Sequence, residues 1–460
     1  MLAKDISSLS LSSKQIKNLD SLGYDTLTPV QLACLPIILE GKDLIAQAKT
    51  GSGKTAAFGI GLVEKLNQRL FSVQALVLCP TRELADQVAI EIRKLARCIP
   101  NIKLVVLCGG KPLRKQIDSL EHGAHIIVGT PGRIKDHLSR ETLDLSQLKT
   151  LVLDEADRML DMGFHDEILN IINNTPSNRQ SLLFSATYPD TINKMCQSVL
   201  TNPVTIKVDT EHETHVIEQY FYLTSNEMRD DTLLGLFEHY KPESTVVFCR
   251  TKVQCREVSE FLQTNNVESI ALHGDLDQRE RDQVLVRFSN KSCAVLVATD
   301  VAARGLDIKS LQAVINYELP HDPEDYIHRI GRTGRAGDTG IALSLYTDAE
   351  IGRIIALEGS QNKSCDNKNP QSLNRQSSFS LQSPMTTLKI DAGKKNKLRP
   401  GDLLGALTKD AGLSGDQIGK INIFNMVSYI AIERDGVAKA IQHFKRGKVK
   451  GRFLRAREIS

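Results

Sequence analysis

The chain has 460 residues, 41% hydrophobic and 25% charged, with a formal net charge of +3. That length exceeds what one hydrophobic core organises and predicts two or three domains of an ordinary soluble globular protein. No run of about 18 apolar residues occurs and residues 1–10 lack the basic and apolar regions of a signal peptide, so a cytoplasmic protein with no membrane partner is expected. The nine cysteines are scattered, with no C-x-x-C pair and no histidine at zinc spacing, and are expected to be reduced thiols.

The first stretch repeats one rhythm: a short apolar run, a polar or glycine-rich turn, then a segment of helical period. The runs are residues 43–48, 75–80, 103–108, 125–128, 150–153 and 181–184, the pattern of parallel α/β units. After the first run comes A-K-T-G-S-G-K-T, residues 48–55, followed by the apolar helix A-A-F-G-I-G-L-V. Glycines turn backbone N–H groups toward phosphates, a helix N-terminus favours negative charge, Lys54 reaches the β/γ-phosphates, and Thr55 can bind magnesium. Ala48 replaces the usual first glycine, which makes this a variant phosphate loop; a plain glycine-rich turn is the other reading. L-V-L-D-E-A-D, residues 151–157, ends a buried strand in two adjacent carboxylates at the strand end where open α/β sheets bind ligands. Asp154 can hold magnesium, and Glu155 can orient and deprotonate an attacking water. Taken alone these residues also read as an acidic turn with Asp157 as a helix cap, and the phosphate loop decides against that.

Residues 202–218 carry no comparable core unit and are expected to join two domains. The rhythm then resumes at residues 245–249, 269–272, 294–298, 313–317 and 340–346. Phosphoryl transfer needs positive charge beyond one lysine and magnesium, and H-R-I-G-R-T-G-R-A-G, residues 328–337, offers three arginines in a small-residue turn. Lys54 and Arg332 are 278 residues apart, more than one domain spans, so the site is expected to be complete only when two domains close. A surface arginine cluster that binds nucleic acid is the other reading.

Residues 359–386 are polar and rich in Ser, Asn and Gln, which predicts a flexible tether. The remainder reads β-α-β-β-α-β, an order suggesting an RNA recognition motif. Residues 387–460 hold 16 Lys+Arg against 7 Asp+Glu, a net +9 that leaves −6 for the rest. This asymmetry points to a polyanion-binding module, with a solvated basic face as the alternative. The predicted bounds are 1–205 and 206–358 for the two α/β domains, 359–386 for the tether and 387–460 for the last module.

Further motifs follow in a fixed order. They are G-Y-D-T-L-T-P-V-Q (23–31), P-T-R-E-L-A (80–85), Gly109-Gly110, T-P-G-R (130–133), S-A-T (185–187), V-V-F-C-R-T (246–251), Q-R-E-R (278–281) and A-T-D-V-A-A-R-G-L-D (298–307). With the phosphate loop, D-E-A-D and the arginine segment they resemble the DEAD-box ATP-dependent RNA helicases over residues 23–357. The resemblance implies two tandem RecA-like parallel-sheet domains followed by a small α+β module like an RNA recognition motif, with ATP and Mg2+ as cofactors. It implies that Ala48, Lys49, Thr50, Gly51, Ser52, Gly53, Lys54 and Thr55 cradle the phosphates. Tyr24 and Gln31 would frame and read adenine, Asp307 would meet the ribose, and Arg332 and Arg335 would be arginine fingers. Ser185 and Thr187 with Asp157 and His328 would link the nucleotide to the RNA side, where Arg82, Gly110, Thr130, Arg133, Thr251, Arg281 and Thr299 would meet the RNA backbone. The family places an aromatic residue upstream of the glutamine motif; Ile6 and Leu9 stand near that spacing here, which predicts weaker adenine binding.

The last module, with G-K-K-N-K-L-R-P-G-D-L-L-G-A-L (393–407) and G-K-V-K-G (447–451), is similar to that of the DbpA subfamily. That likeness implies direction to hairpin 92 of 23S ribosomal RNA and a role on pre-50S particles in large-subunit assembly, by a monomer. Lys389 stands where a stacking aromatic is expected and Val427 where another would be, leaving Tyr429. The RNA-contact candidates are therefore Lys394, Lys395, Lys397, Arg399, Tyr429, Lys448 and Lys450. An ATP-gated RNA clamp, a general RNA chaperone with little unwinding, and a DNA-directed motor are the competing functions.

Overall fold

The structure is a computed structural model that describes residues 6, 9–48, 51–188, 190–208, 217–303, 311–334, 339–376 and 378–459. Its first sheet contains seven strands: β1 (Leu44–Gln47), β2 (Ala75–Leu78), β3 (Leu104–Leu107), β4 (Ile126–Gly129), β5 (Thr150–Asp154), β6 (Gln180–Ser185) and β7 (Val204–Lys207). They lie in the order β3-β4-β2-β5-β6-β1-β7, with neighbouring strands paired in parallel. The inner strands are buried and largely apolar because helices cover both faces of such a sheet. β2, β4 and β5 are accordingly buried at every residue.

The second sheet comprises β8 (Ile217–Leu223), β9 (Thr245–Cys249), β10 (Ser269–Leu272), β11 (Val295–Thr299), β12 (Ala313–Asn316), β13 (Gly340–Tyr346) and β14 (Asp366–Lys368). Its order is β10-β11-β9-β12-β13-β8-β14, again parallel. Residues 202–218, expected only to connect, instead supply an edge strand to the first sheet and begin β8 of the second. β7 is half-exposed in alternation, the mark of a strand covered on one face and paired on one side, so it offers no continuous apolar run to read.

The expected tether differs from the structure more sharply. The helix Ile351–Gln361 ends at Asn362 in the left-handed conformation, and β14 then pairs with β8. Beyond it Leu373 is buried in the second core, and Arg375 forks onto Asp231 at 2.8 and 2.9 Å and reaches Glu238 at 2.7 Å. Leu381 bridges to Val267 and the Ser383 N–H donates to Glu268 at 2.8 Å. A segment too polar to fold alone is thus ordered by the free edge of a sheet and by a buried glutamate that needs a cation.

The C-terminal module contains β15 (Met385–Ile390), β16 (Ile418–Ile423), β17 (Ser428–Glu433) and β18 (Ala456–Glu458), antiparallel in the order β16-β17-β15-β18. With the helices Pro400–Gly405 and Val437–Arg446 this is the expected β-α-β-β-α-β module. Leu388, Ile390, Ile430 and Ile432 face Leu403, Leu407, Ala440 and Phe444 in its core. Alternation sends Thr387 and Tyr429 to the opposite face. There the Thr387 hydroxyl meets Ser292 Oγ at 2.6 Å and accepts from Asn290 at 3.3 Å, while Arg434 pairs with Glu268 at 2.9 Å. The module is therefore docked on the second α/β domain, and the two form one unit.

Candidate nucleotide and RNA sites

Register sets up the first site. Gln47 lies level with Ser185, and Asp154 level with Phe184, so the phosphate loop, D-E-A-D and S-A-T all begin at one carboxyl edge of the first sheet. Gly51 and Gly53 have φ of 86° and 94°, a region L side chains rarely adopt. A Cβ on Gly53 would stand 2.6 Å from Gln31 Nε2, so only glycine fits beneath the glutamine motif. The helix Lys54–Glu64 starts at Gly53 with no side-chain cap, leaving backbone donors for an anion. Ser52 Oγ is buried without a hydrogen-bond partner, a second feature that suits a phosphate oxygen. Lys54 is buried and its Nζ donates to the Ala48 carbonyl at 2.6 Å.

Gln31 is 3% exposed and both ends of its amide are engaged: Oε1 accepts from the Thr28 N–H at 2.9 Å and Nε2 donates to the Gly53 carbonyl at 3.3 Å. Thr28 Oγ1 donates to the Ser52 carbonyl at 2.8 Å. Thr28 and Gln31 thus brace the phosphate loop directly, a role for Thr28 that sequence reading missed although the T-P-V-Q spacing is that of a capping box. Tyr24 is half-buried and its hydroxyl donates to Glu91 at 2.8 Å; burial and that carboxylate hold its pKa above the usual phenol range. Ile6 and Leu9 pack into the first core.

Asp154 is 3% exposed, and burial pushes its carboxyl from the ordinary 3.8 up to about 7 against the opposing pull of Lys54. A buried carboxylate in that position calls for a cation, and with Thr55 it forms the pair of side chains that could hold magnesium. Glu155 follows at φ 52° and ψ 55°, left-handed for a non-glycine residue, a conformation costing about 1–2 kcal/mol. The turn starts the helix Ala156–Asp161 and carries Asp157 back to S-A-T. Asp157 Oδ2 accepts from the N–H groups of Ala186 and Thr187 at 3.1 and 3.0 Å and from Thr187 Oγ1 at 3.0 Å. Ser185 Oγ donates to the Thr187 carbonyl at 2.6 Å. The three residues expected to couple the two sides are one hydrogen-bonded group, and His328 lies in the second unit.

The arginine segment divides in a way the sequence did not reveal. Arg329 belongs to the helix Pro323–Ile330 and is buried. Its guanidinium forks onto Asp300 at 2.6 and 2.7 Å, donates to Asn316 at 3.0 Å and the Glu318 carbonyl at 2.8 Å, and lies 5.1 Å from the Phe248 ring centre. It is a structural tie, not a third arginine of the turn. Arg332 lies beyond the helix end and is partly exposed, with His328 half-exposed one turn earlier. Lys49, Thr50, Asp307 and Arg335 lie outside the described residues.

On the first domain Arg82 opens the helix Arg82–Leu95, and a Cβ on Gly109 would sit 3.2 Å from its guanidinium. Beside them are Gly110, at φ 73°, and Thr130, which caps the helix Pro131–Ser139 and whose N–H donates to Leu107. Arg133 donates to the Lys111 carbonyl at 3.2 Å and to Gln116 Oε1 at 3.1 Å. Buried Gln116 also meets His137 at 3.1 Å and donates to the Cys108 carbonyl at 2.8 Å, so it ties this edge together. Sequence reading missed Gln116, whose signal is a polar residue on the buried side of an amphipathic helix. On the second domain Thr299 ends β11 level with Cys249, Thr251 caps the helix Lys252–Thr264, and Arg281 donates to the Ala302 carbonyl at 3.3 Å. These are hydroxyls, backbone and cations at strand ends, the chemistry of phosphate and sugar contact.

In the C-terminal module Lys394, Lys395, Lys397 and Arg399 occupy one loop, and Lys450 reaches into it, donating to the Lys397 carbonyl at 3.1 Å and pairing with Asp402 at 3.3 Å. Tyr429 is 4% exposed, so its ring is not offered as a stacking platform.

Three family matches align with this architecture: DEAD/DEAH box helicase over residues 28–195, helicase conserved C-terminal domain over 228–337, and DbpA RNA binding domain over 387–458. In structure the chain is similar to Saccharomyces cerevisiae Dbp5 bound to RNA and ADP BeF3, at 30% identity and TM-score 0.73, covering 80% of this chain and 96% of that one. The DEAD-box ATP-dependent RNA helicase CshA of Geobacillus kaustophilus is 44% identical over 366 residues, 79% of this chain and 78% of that protein. The ATP-dependent RNA helicase DbpA of Escherichia coli strain K12 is 52% identical over 447 residues, 97% of each chain. The chain belongs to the DEAD-box ATP-dependent RNA helicases and, within them, to the DbpA subfamily.

Proposed function

We propose that the enzyme separates short RNA duplexes locally and is directed by its C-terminal module to hairpin 92 of 23S ribosomal RNA, on pre-50S particles in the cytoplasm, as a monomer. The phosphate loop with Lys54 takes the triphosphate, Glu155 orients and deprotonates the attacking water, and Arg332 and Arg335 supply charge to the transferring group. Tyr24, Gln31 and Asp307 hold the nucleoside. Thr55 and Asp154 would hold magnesium, which when bound neutralises charge on the phosphate oxygens. Asp157, Ser185, Thr187 and His328 pass the state of the nucleotide to the RNA contacts, so that ATP and RNA together favour closure of the two motor domains and hydrolysis resets them.

The observation that carries the reading is the buried Lys54 and Asp154 beside a carboxylate group that is itself hydrogen-bonded to S-A-T. The hairpin assignment is supported by the DbpA RNA binding domain and by the +9 charge of residues 387–460. Comparing ATPase stimulation by a 23S fragment containing hairpin 92 with stimulation by the same fragment lacking it tests that assignment. Strong stimulation by the first alone is expected; equal stimulation by both would refute the targeting.

A further inference from the structure

Of the chain's thirteen phenylalanines, only Phe71, Phe424 and Phe453 are exposed among the described residues, and two of these stand in the basic C-terminal module. Phe453 is 65% exposed, Met426 59% and Phe424 37%. Single exposed apolar side chains are common and need no explanation, but these three sit on loops that the structure ties to the lysines.

The turn carrying Phe424 and Met426 is bound to the lysine loop by backbone: Lys394 N–H donates to the Phe424 carbonyl at 2.8 Å and Lys395 N–H to Asn425 at 3.0 Å. A side chain at Gly393 would run into the Phe424 carbonyl, so the two loops touch because that residue has none. The lysine loop is in turn joined to the hairpin of Phe453 by Lys450, whose Nζ donates to the Lys397 carbonyl. That hairpin is a tight one: Val449 and Arg452 exchange hydrogen bonds across Lys450 and Gly451, both at positive φ, as a two-residue turn with two left-handed centres requires. Lys448 Nζ stands 5.2 Å from the Phe453 ring centre. Behind this surface Phe424 packs edge-on against Tyr429 at 5.6 Å, which fixes its ring against the sheet.

Exposed rings on loops joined to the lysine loop, one of them beneath an ammonium group, match one ligand class, RNA with unpaired bases: the cations follow the phosphates while the rings take base faces. A duplex would use only the cations, and an acidic protein segment would leave the rings unused. We propose that Phe424 and Phe453 are base-stacking residues that read unpaired nucleotides of the RNA loop recruited by the C-terminal module, taking the place of the sheet-face aromatics that Lys389 and buried Tyr429 do not provide. This rests on the module's RNA-binding reading and adds how an RNA loop is told from a helix.

The test uses the full-length chain with Phe424→Ala, Phe453→Ala and the corresponding Phe→Trp variants, titrated with 2-aminopurine-labelled RNA. Three RNAs serve as probes: hairpin 92, an unrelated hairpin with a loop of equal size, and a blunt duplex. Each alanine variant is expected to bind looped RNA roughly tenfold more weakly and to lose part of the 2-aminopurine quenching, with tryptophan restoring both. Duplex affinity and the dependence of affinity on salt should stay near wild type, whereas Lys394→Ala or Lys395→Ala should lower the salt dependence. Alanine variants that bind and quench like wild type overturn the proposal, even if wild type prefers hairpin 92. A wild-type protein that binds both hairpins equally, with the alanine variants weakened on both, sinks the hairpin assignment and leaves the stacking role standing.

Discussion

Arg329 and Arg332 are three positions apart in one motif and have different physical situations. Arg329 is buried against Asp300, Asn316 and the Glu318 carbonyl, so its removal leaves a carboxylate and two other acceptors without their donor. Arg329→Ala should destabilise the second motor domain by about 3 kcal/mol, seen as a lower midpoint in urea. A variant with an unchanged midpoint and only slower turnover would place Arg329 in the chemistry instead. The sequence could not separate the two arginines, because burial depends on Asp300, which opens the helix Asp300–Ala303 just after β11, and on Asn316 at the end of β12, brought together by the fold. By contrast Lys54, Asp154 and Asp157 were legible, since phosphate loops and acidic strand ends carry their chemistry in local spacing. Gln31 lies between these cases: its motif was readable, but its grip on the Gly53 carbonyl was not.

At the scale of elements, apolar run length decided what could be read. The central strands appear as continuous apolar stretches in the sequence, and β9, β10 and β13 have the expected bounds. β7 and β14 do not, because β7 is only partly buried in alternation and β14 is exposed throughout, so neither offers a continuous apolar run. β14 is the extreme case, with all three residues exposed and its place fixed by pairing to β8 and by the Arg375 clamp downstream. Arg375→Ala removes the cation facing buried Glu238, and because the arginine is partly exposed the loss should be only about 1 kcal/mol. Hydrogen exchange should nonetheless reveal it: amides of residues 366–376 are expected to be protected in wild type and to exchange faster in the variant. Exchange at unstructured rates in the wild-type protein would return this segment to a free tether.

For the whole molecule, docking of the C-terminal module changes how RNA recruitment works. A free tether would only raise the local RNA concentration, whereas a module held through Thr387, Arg434 and the preceding segment clamped by Arg375 presents its RNA in a fixed orientation to the second motor domain. In the proposed motor, charge reaches the transferring phosphoryl group from the second domain's arginine segment. The most direct measurement is single-turnover ATP hydrolysis by Arg332→Ala at saturating RNA, with nucleotide binding followed in parallel by a fluorescent ATP analogue. Binding within a few-fold of wild type and hydrolysis slower by about a thousandfold are expected. Hydrolysis at the wild-type rate in that variant would contradict that mechanism.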